Sequence, residues 1–320
     1  MKTNYKLFKL MQLLSINSRA TTKEIAKEIK TTQQNSSYLI SKLKSDTSID
    51  SFVPLIDSSK FGLDNFCVLI SFKTGSKEFS KSLLIELKKY KEITGIDFLF
   101  GSYDLFLRFT TPNASNFNKQ LREILNKFQR GIKNYLILTQ IVLYHYPRNY
   151  LSKKRSDTRH ILSGDRELQK IDNLNINIIN SLNVNARSSF VTIANENNTT
   201  AKTIISRVRN LEKRKILQGY SILPNFNKIG ITKYYLFIKY EFLDIDSEKK
   251  FQQYTHFSPF IVEYIKTFGE WDTILLIETF KEKEFKKMLD ELKENFAEII
   301  DDYTFLESED VKKWKYVPEL

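Results

Sequence analysis

The sequence predicts an α+β protein that contains two winged helix-turn-helix domains and two ferredoxin-like βαββαβ α/β-sandwich domains, arranged in tandem. Three observations support this fold class. The chain aligns with itself without a gap when it is shifted by 168 residues, the offset that brings Asn17 and Arg19 onto Asn185 and Arg187. Each half begins with short amphipathic helices and then alternates strands with helices. Four of the nine glycines also fall in matched pairs, so we interpret the chain as a tandem duplication.

The first helical domain is predicted from apolar periodicity and helix-capping signals. Thr21 with Glu24, and Thr31 with Gln34, have the spacing of a capping box, in which two side chains satisfy each other's backbone N–H groups. The predicted elements are three helices and a short extended segment, at residues 5–15, 22–30, 33–44 and 52–57.

The region that follows alternates strands and helices in the order βαββαβ. Its elements are predicted at residues 66–72, 77–90, 96–100, 105–109, 114–129 and 135–144. Both helices would cover one face of the sheet, so the other face needs a partner. We therefore expect association through the bare sheet faces, either as homo-oligomers or as an intramolecular pseudo-dimer between the two sheets of one chain.

The second half repeats this plan after a connector. Residues 148–166 contain six basic and two acidic residues with weak periodicity, which is typical of an exposed linker and could also serve to contact phosphates. Elements of the second half are predicted at 169–182, 189–196, 200–215, 219–223, 234–240, 246–257, 260–268, 273–279, 282–295 and 299–306. The resulting domains are helix-turn-helix 1–60, effector-type domain 61–147, linker 148–166, helix-turn-helix 167–226 and effector-type domain 227–320.

The second helix-turn-helix carries the strongest functional signal. Ile204, Val208 and Leu211 form its apolar stripe. From residue 199 to 215 there are six basic residues and one acidic residue, Glu212, whereas an ordinary solvated helix face carries both signs of charge. We predict that this helix enters the major groove of double-stranded DNA and that bases and phosphates are contacted by Thr199, Thr200, Lys202, Thr203, Ser206, Arg207, Arg209, Lys213 and Arg214.

The corresponding helix of the first half is polar and has no arginine. Amide and hydroxyl side chains can still form hydrogen bonds with base edges. The residues expected to contact DNA in this half are Gln33, Gln34, Asn35, Ser37 and Lys42. Because the two predicted recognition helices differ in sequence, we expect an operator with unequal half-sites.

Composition limits the partners and the chemistry. A net charge of +12 favours a polyanion, and the 41% hydrophobic and 13% aromatic fractions are sufficient for packed cores. The single cysteine, Cys67, excludes an intramolecular disulfide, and three scattered histidines predict no metal site. Apolar runs of transmembrane length and signal-peptide features are missing from the sequence, so a cytoplasmic protein without a membrane partner is expected.

These motifs resemble the Lrp/AsnC family of prokaryotic transcription regulators, twice over. The stretches NARSSFVTIA, ISRVRNLEKRKIL and QGYSILPNFNKIG resemble that family's winged helix-turn-helix. The turns at residues 101–104 and 269–272, each of the form G-x-[YW]-D, resemble the signature of its effector domain, the RAM or AsnC ligand-binding domain. The first half departs from the pattern at QQNSSYLISKLK and DSFVPLID. The resemblance implies dimers joined through effector-domain sheets, further assembly, and an amino acid or similar effector bound between them.

Two interpretations of the G-x-aromatic-D turns remain open. Glycine and aspartate are ordinary turn residues. Alternatively, each turn lines a pocket between sheets, where the aspartate accepts a ligand ammonium group and the aromatic ring covers an apolar side chain. In that case the effector-binding residues are Gly101, Tyr103, Asp104, Gly269, Trp271 and Asp272.

Two other functions compete with DNA-binding regulation. The siroheme decarboxylases share this architecture, and the resemblance implies that their chemistry uses arginine and histidine around the wing and the first sheet strand. Those segments here, FVPLIDSSKFGL and YSILPNFNKIGI, contain neither residue, so no catalytic residue, no cofactor and no enzymatic activity are expected. A protein-interaction module that has lost DNA binding is favoured by the polar first recognition helix and opposed by the basic second one.

Overall fold

The computed structural model describes residues 2–73, 76–242 and 244–320, with side chains from residue 5 onward. The first helical region, here called head 1, contains α1 (Lys2–Ile16), α2 (Thr22–Ile29), α3 (Gln33–Ser45) and β1 (Ile49–Ile56). The first βαββαβ region contains β2 (Asp64–Phe72), α4 (Lys77–Leu87), β3 (Ile93–Phe100), β4 (Leu105–Thr111), α5 (Ala114–Lys127) and β5 (Ile132–His145). A short strand, β6 (His160–Leu162), lies in the connector.

The second half has the same order of major elements. Head 2 contains α6 (Asn173–Val184), α7 (Phe190–Glu196), α8 (Ala201–Lys213) and β7 (Leu217–Pro224), followed by the single-turn helix α9 (Phe226–Ile229). The second βαββαβ region contains β8 (Thr232–Tyr240), α10 (Ile245–Phe257), β9 (Ile261–Phe268), β10 (Thr273–Thr279), α11 (Glu282–Phe296) and β11 (Ile300–Trp314). None of the helices within the described ranges has the length and apolarity needed to cross a membrane.

Helix starts follow the capping signals, with two corrections. Thr21 and Glu24 form the expected capping box at α2. At α3, however, the N-cap is Thr32, whose hydroxyl accepts a hydrogen bond from the backbone N–H of residue 35. Helix α6 begins at residue 173 rather than 169, because Asp172 accepts from the backbone N–H of Asn175 and so provides the start signal.

The two heads are joined by a two-stranded antiparallel sheet. β1 pairs with β7, and Val53 lies opposite Ser221, a residue 168 positions further along the chain. Pairing of equivalent positions is the arrangement that a two-fold axis produces. The apolar stripes of both heads also enter one core, which includes Leu14 and Ile25 from head 1 and Ile193 and Ile204 from head 2.

The sheets of the two halves form one closed barrel. Its strand order is β2-β4-β3-β11-β8-β10-β9-β5, and β5 pairs again with β2 to close the ring, while β6 is added beside β5. The two sheet faces that the helices leave bare therefore pack on each other inside the barrel, around residues such as Phe106, Phe237 and Trp314. Helices α4 and α5 cover the outside of one half, and α10 and α11 cover the outside of the other.

The long strands β5 and β11 each cross from one half to the other. β5 pairs with β2 along its first part and with β9 along its second, and β11 pairs with β8 and then with β3. The prediction that the last strand ends at residue 306 was therefore too short. The sequence of residues 307–314 is typical of a charged, solvent-exposed segment. In the structure β3 forms hydrogen bonds with it, and the local sequence does not reveal this partner.

Candidate nucleic-acid interface

Helix α8 presents a polar and cationic surface, as its pattern predicted. Thr200 is the N-cap and accepts from the backbone N–H of Thr203, at 3.1 Å. The stripe of Ile204, Val208 and Leu211 is buried. The remaining face points to solvent, and its exposed residues are Lys202, Ser206, Arg209, Asn210 and Lys213.

Two of the arginines predicted to contact DNA hold α8 against the segment before α6 in the protein alone, and their contact with DNA stays a prediction. Arg207 forms a hydrogen-bonded ion pair with Asp172. Arg214 donates to the Gln169 side-chain oxygen at 3.0 and 3.1 Å and to the Lys170 carbonyl at 2.8 Å. These contacts leave Lys202, Arg209, Lys213 and Lys215 as the exposed cations of this segment.

Helix α3 of head 1 presents the equivalent surface without arginine. Ser36, Ile40 and Leu43 are buried, whereas the candidate contact residues of this helix are exposed: Gln33, Gln34, Asn35, Ser37 and Lys42. Three of the charged positions of α8 correspond to neutral ones here, since Lys202, Arg209 and Lys213 are matched at the offset of 168 by Gln34, Ser41 and Ser45.

A reciprocal pair of arginines locks the heads together. The Nη1 group of Arg19 donates to the carbonyls of Ala186, at 2.6 Å, and Ser188, at 2.9 Å. Arg187 does the same in return to the equivalent carbonyls of head 1, including that of Ala20 at 3.1 Å. Burial lowers the pKa of both guanidinium groups, so these hydrogen bonds are partly shielded from water. We call this contact the arginine clasp.

Backbone hydrogen bonds with the same two-fold pattern support the clasp. The N–H of Ser18 donates to the Tyr220 carbonyl, and the N–H of Ala186 donates to the Phe52 carbonyl. The Arg19 guanidinium also stacks 4.2 Å from the centre of the Phe190 ring. Together with β1 and β7, these contacts fix how α3 and α8 are placed relative to each other.

The G-x-aromatic-D turns have a clear structural role. An oxygen of Asp104 accepts from the backbone N–H of Phe72 at 2.6 Å, and Asp272 accepts from that of Tyr240 at 3.0 Å. Gly101 and Gly269 have φ of +142° and +146°, and an added Cβ would lie within 3 Å of a leucine on the crossing strand β11 or β5. Effector binding by the six residues of these turns remains a prediction. Within them, Trp271 is buried in the barrel core and Tyr103 is half-buried against it.

Charged and histidine side chains that were not predicted from the sequence lie where the wing of head 2, strand β7, meets the barrel. His145, at the end of β5, is buried and its Nε2 lies 3.2 Å from the Ser221 hydroxyl on the wing strand β7. His160, on β6, packs on Gly219 of the wing strand β7. A Cβ added to Gly219 would lie 2.6 Å from the His160 ring. The wing segments themselves lack histidine, but the fold brings two histidines to them from residues 145–160.

The other ring nitrogen of His145 takes part in a group of polar side chains inside the barrel. Tyr316 lies with its hydroxyl 3.1 Å from His145 Nδ1 and donates to Glu263 Oε1 at 2.6 Å. Arg108 lies 3.3 Å from the other oxygen of Glu263. Burial by itself would raise the pKa of Glu263, but Arg108, His145 and Tyr316 lower it to about 2. The carboxylate is therefore ionised in the folded protein.

Two further buried ion pairs connect the halves. Arg148 binds Glu278 through two hydrogen bonds, of 2.9 and 3.0 Å, and donates to the Ile222 carbonyl on the wing. Inside the barrel, Lys233 and Tyr235 both donate to one oxygen of Asp97, at 2.9 and 2.6 Å. A charge inside an otherwise apolar strand, as at residues 233 and 263, is the sequence signal that could have indicated these pairs.

The environment of His160 predicts a loss of stability in acid. Burial, with a smaller effect of His145, lowers its pKa to about 4. The unfolded chain takes up a proton below about pH 6.5 whereas the folded chain does not, so the free energy of unfolding should decrease by up to about 3 kcal/mol as pH falls through this window. Urea unfolding at several pH values would measure it. The His160→Gln variant should show a shallower pH dependence, and an unchanged slope would contradict the assignment.

Comparison with known proteins finds similarities of two kinds, one in sequence and one in fold. No protein-family model matches the chain. An uncharacterized HTH-type transcriptional regulator of Pyrococcus abyssi is 30% identical over 125 residues, which is 39% of this chain and 81% of the relative. One of Pyrococcus horikoshii is 29% identical over the same length. Among solved structures, siroheme decarboxylase NirDL matches 98% of this chain and 94% of its own, with a TM-score of 0.62 and 12% identity.

The structural likeness corrects the expectation that the chain is not an enzyme. A solved structure that matches it over almost its whole length is that of an enzyme, so catalysis is not excluded by the missing motifs. The wing segments themselves contain neither arginine nor histidine. The fold instead delivers Arg148, His145 and His160 to the wing from the end of β5 and the connector.

At 12% identity the likeness to the decarboxylase establishes a shared fold. The similarity in sequence to the Pyrococcus regulator is greater and extends over four fifths of that protein. On this evidence, the chain belongs to the HTH-type transcriptional regulators.

Proposed function

We propose that this protein is a sequence-specific DNA-binding regulator of the Lrp/AsnC type that carries two tandem helix-turn-helix and effector units in one chain. The observation that carries the proposal is the pair of exposed helices α3 and α8, held in a fixed two-fold arrangement by the arginine clasp. Dimeric helix-turn-helix proteins bind two half-sites through two recognition helices related by a two-fold axis, and α3 and α8 would do the same within one chain. Head 2 would supply most of the phosphate contacts, and head 1 would read its half-site through amide and hydroxyl groups.

The test exploits the difference between the heads. Lys202→Gln, Arg209→Ser and Lys213→Ser together give α8 the residues of α3 at these positions. If all three cations contact phosphates, the slope of log K against log salt should become shallower by about 2.7. Fluorescence anisotropy with duplex DNA over a range of ionic strengths measures this slope.

A matched control and a reciprocal variant make this test decisive. Three exposed lysines on the helices outside the barrel, Lys249 and Lys250 on α10 and Lys283 on α11, can be changed to glutamine and should leave the slope unchanged. The reciprocal change of head 1, at Gln34, Ser41 and Ser45, to the residues of α8 should steepen it. DNA binding that is equally strong in the α8 variant, or missing from the intact protein at low ionic strength, would overturn the proposal.

A second function is supported by the contacts of the wing. Arginine and histidine around the wing are what the resemblance to siroheme decarboxylases requires, and here Arg148, His145 and His160 provide them. We therefore propose tetrapyrrole binding, with decarboxylation as the associated reaction, as the alternative. Titration with siroheme should shift its absorbance band if this is correct, and the shift should be lost in His160→Ala. A spectrum equal to that of free siroheme would exclude the alternative.

The effector remains part of the main proposal. A small molecule such as an amino acid would bind beside the G-x-aromatic-D turns, next to the strands that cross between the halves. Its binding would require the Asp104 or Asp272 carboxylate to exchange a backbone hydrogen bond for a ligand ammonium group. Thermal unfolding in the presence of each amino acid tests this, because a ligand that binds the folded state raises the melting temperature.

A further inference from the structure

A surface groove lies between α10 and α11 on the outside of the second half, and the connector contributes to its wall. Its volume is about 490 Å³, which lies within the range of small-molecule sites. Most of the wall is apolar and comes from α10, the turn after it and α11. The apolar and aromatic residues that line it are Tyr254, Phe257, Pro259, Phe260 and Met288. We call this site the outer groove.

The duplication provides an internal comparison for the outer groove. Helices α4 and α5 of the first half correspond to α10 and α11 at the offset of 168 residues. Polar or charged residues of the first half stand at the positions of the apolar lining residues. The pairs are Glu86 and Tyr254, Lys89 and Phe257, Lys91 and Pro259, Glu92 and Phe260, and Gln120 and Met288. The same fold therefore forms without apolar residues here, so the fold does not require them.

An ion-pair cluster joins the two helices of the first half at this place. Glu86 of α4 binds Lys127 of α5 at 2.7 Å and Lys89 at 2.8 Å. In the second half the equivalent of Glu86 is Tyr254, whose hydroxyl donates to the Met288 carbonyl at 3.2 Å. The two helices thus keep a contact in both halves, but only in the second half are the surrounding side chains apolar.

Phe257 is an exposed aromatic platform in the outer groove. It is 59% exposed, which is costly for a surface position that carries lysine in the first half. Its ring stacks 5.0 Å from that of His256, which in turn stacks 5.3 Å from Tyr146. The His256 Nε2 also lies 3.0 Å from the Asp157 carbonyl of the connector. A ring that is already held in place loses little conformational entropy when a flat apolar group packs on it.

Among the charged residues of the groove, Arg155 is the one with donors to spare. Glu284 is held by its own helix, because one of its oxygens accepts from two backbone N–H groups at the start of α11. Lys287 and Glu291 form an ion pair with each other. Arg155 donates to the Phe257 carbonyl at 3.2 Å and, within the described residues, belongs to no ion pair. A guanidinium group has five N–H donors, so it can also bind an anion.

We propose that the outer groove binds a small organic acid. Its flat apolar body packs on Phe257 and Met288, and its carboxylate is bound by the guanidinium group of Arg155. Burial of hydrocarbon supplies the main driving force, and the planar guanidinium matches the two oxygens of a carboxylate. A ligand with an ammonium group is disfavoured, since Glu284 and Glu291 are already engaged within α11.

The outer groove is separate from the G-x-aromatic-D turn of the same half. Phe260 comes directly before β9, whereas the turn at residues 269–272 follows the other end of this strand. A strand of eight residues is roughly 26 Å long. The connector that supplies Arg155 also occurs once in the chain, so the first half has no equivalent of this residue.

Three probes with one aromatic body separate the contribution of the apolar wall from that of Arg155. Indole-3-acetate carries a carboxylate, indole-3-acetamide is its neutral counterpart, and tryptophan adds an ammonium group. Isothermal titration calorimetry with the intact protein should show that indole-3-acetate binds about tenfold more tightly than either of the others, because it alone combines a free carboxylate with no ammonium group.

Variants of two groove residues test the two contacts. Phe257→Lys introduces the residue of the first half and should weaken the binding of indole-3-acetate and indole-3-acetamide alike, although it adds a cation. Arg155→Gln should weaken indole-3-acetate about tenfold and leave indole-3-acetamide unchanged. Arg159→Gln, at an exposed connector residue outside the groove, is the control and should bind all three probes like the unaltered protein. Circular dichroism shows whether each variant is folded.

Three results would overturn the proposal. The first is no binding of indole-3-acetate to the intact protein at about 10 mM, which lies beyond the millimolar dissociation constants of weak sites. The second is Arg155→Gln weakening the amide as much as the carboxylate. The third is unchanged probe binding in Phe257→Lys together with a smaller assembly in light scattering, which would show that another protein chain covers this ring. None of these measurements involves DNA, so they are independent of the proposed regulatory function.

Discussion

Replacing Arg148 with methionine should lower the free energy of unfolding by about 3–5 kcal/mol, since the change leaves a buried carboxylate without its cation. Glu278 is 1% exposed and holds Arg148 through both oxygens. The same guanidinium donates to the Ile222 carbonyl, and the backbone N–H of Arg148 donates to Ser15 of head 1. Equilibrium unfolding in urea would measure the loss.

Two comparisons show whether the buried charge is responsible. Adding Glu278→Gln to Arg148→Met removes the unpaired charge and should recover part of the stability. Lys249→Met breaks an exposed ion pair with Asp246 and should change the free energy by less than about 1 kcal/mol. If Arg148→Met and Lys249→Met lower the free energy of unfolding equally, the buried ion pair stabilises the protein no more than an exposed one.

Removing the arginine clasp should have an effect of similar size on the heads. Arg19→Met with Arg187→Met deletes four hydrogen bonds from guanidinium groups to backbone carbonyls, and the expected loss is about 3–6 kcal/mol. The carbonyls that remain are partly buried and would lack their donors. Hydrogen exchange should then increase in the turns before α2 and α7, where those carbonyls lie.

Lysine is the matched control for the clasp. Arg19→Lys and Arg187→Lys keep both charges but cannot reproduce the planar, two-donor geometry of guanidinium. We expect the lysine variant to be nearly as destabilised as the methionine variant. If it is as stable as the unaltered protein, charge rather than hydrogen-bond geometry holds the heads together.

The sequence was sufficient for much of the helical part of the fold. The stripe of Ile204, Val208 and Leu211 is buried as predicted, and Thr21 caps α2 as its capping box indicated. Local hydrogen bonds and helical periodicity decide these features, so they can be read from adjacent residues.

Features that depend on distant partners were not predictable in this way. The end of β11 looks like a solvent-exposed charged segment until β3 is placed beside it. The composition around Arg148 is that of an exposed linker, yet Arg148 is buried against Glu278, which is 130 residues away in the sequence. The roles given to Arg207 and Arg214 were also incomplete, because Asp172 and Gln169 become their neighbours when α6 folds against α8.

The crossing of β5 and β11 has a consequence for synthesis of the chain. During translation, β3 emerges more than 200 residues before the part of β11 that covers it, since Ser308 bonds to Asp97 across a separation of 211 residues. Until that part of β11 has emerged, the edge of β3 that it covers is free, and a free strand edge is a site for aggregation. Barrel closure depends on contacts between residues far apart in the sequence, and such contacts form slowly. A chain that ends in the connector lacks β11 and would keep this edge of β3 free.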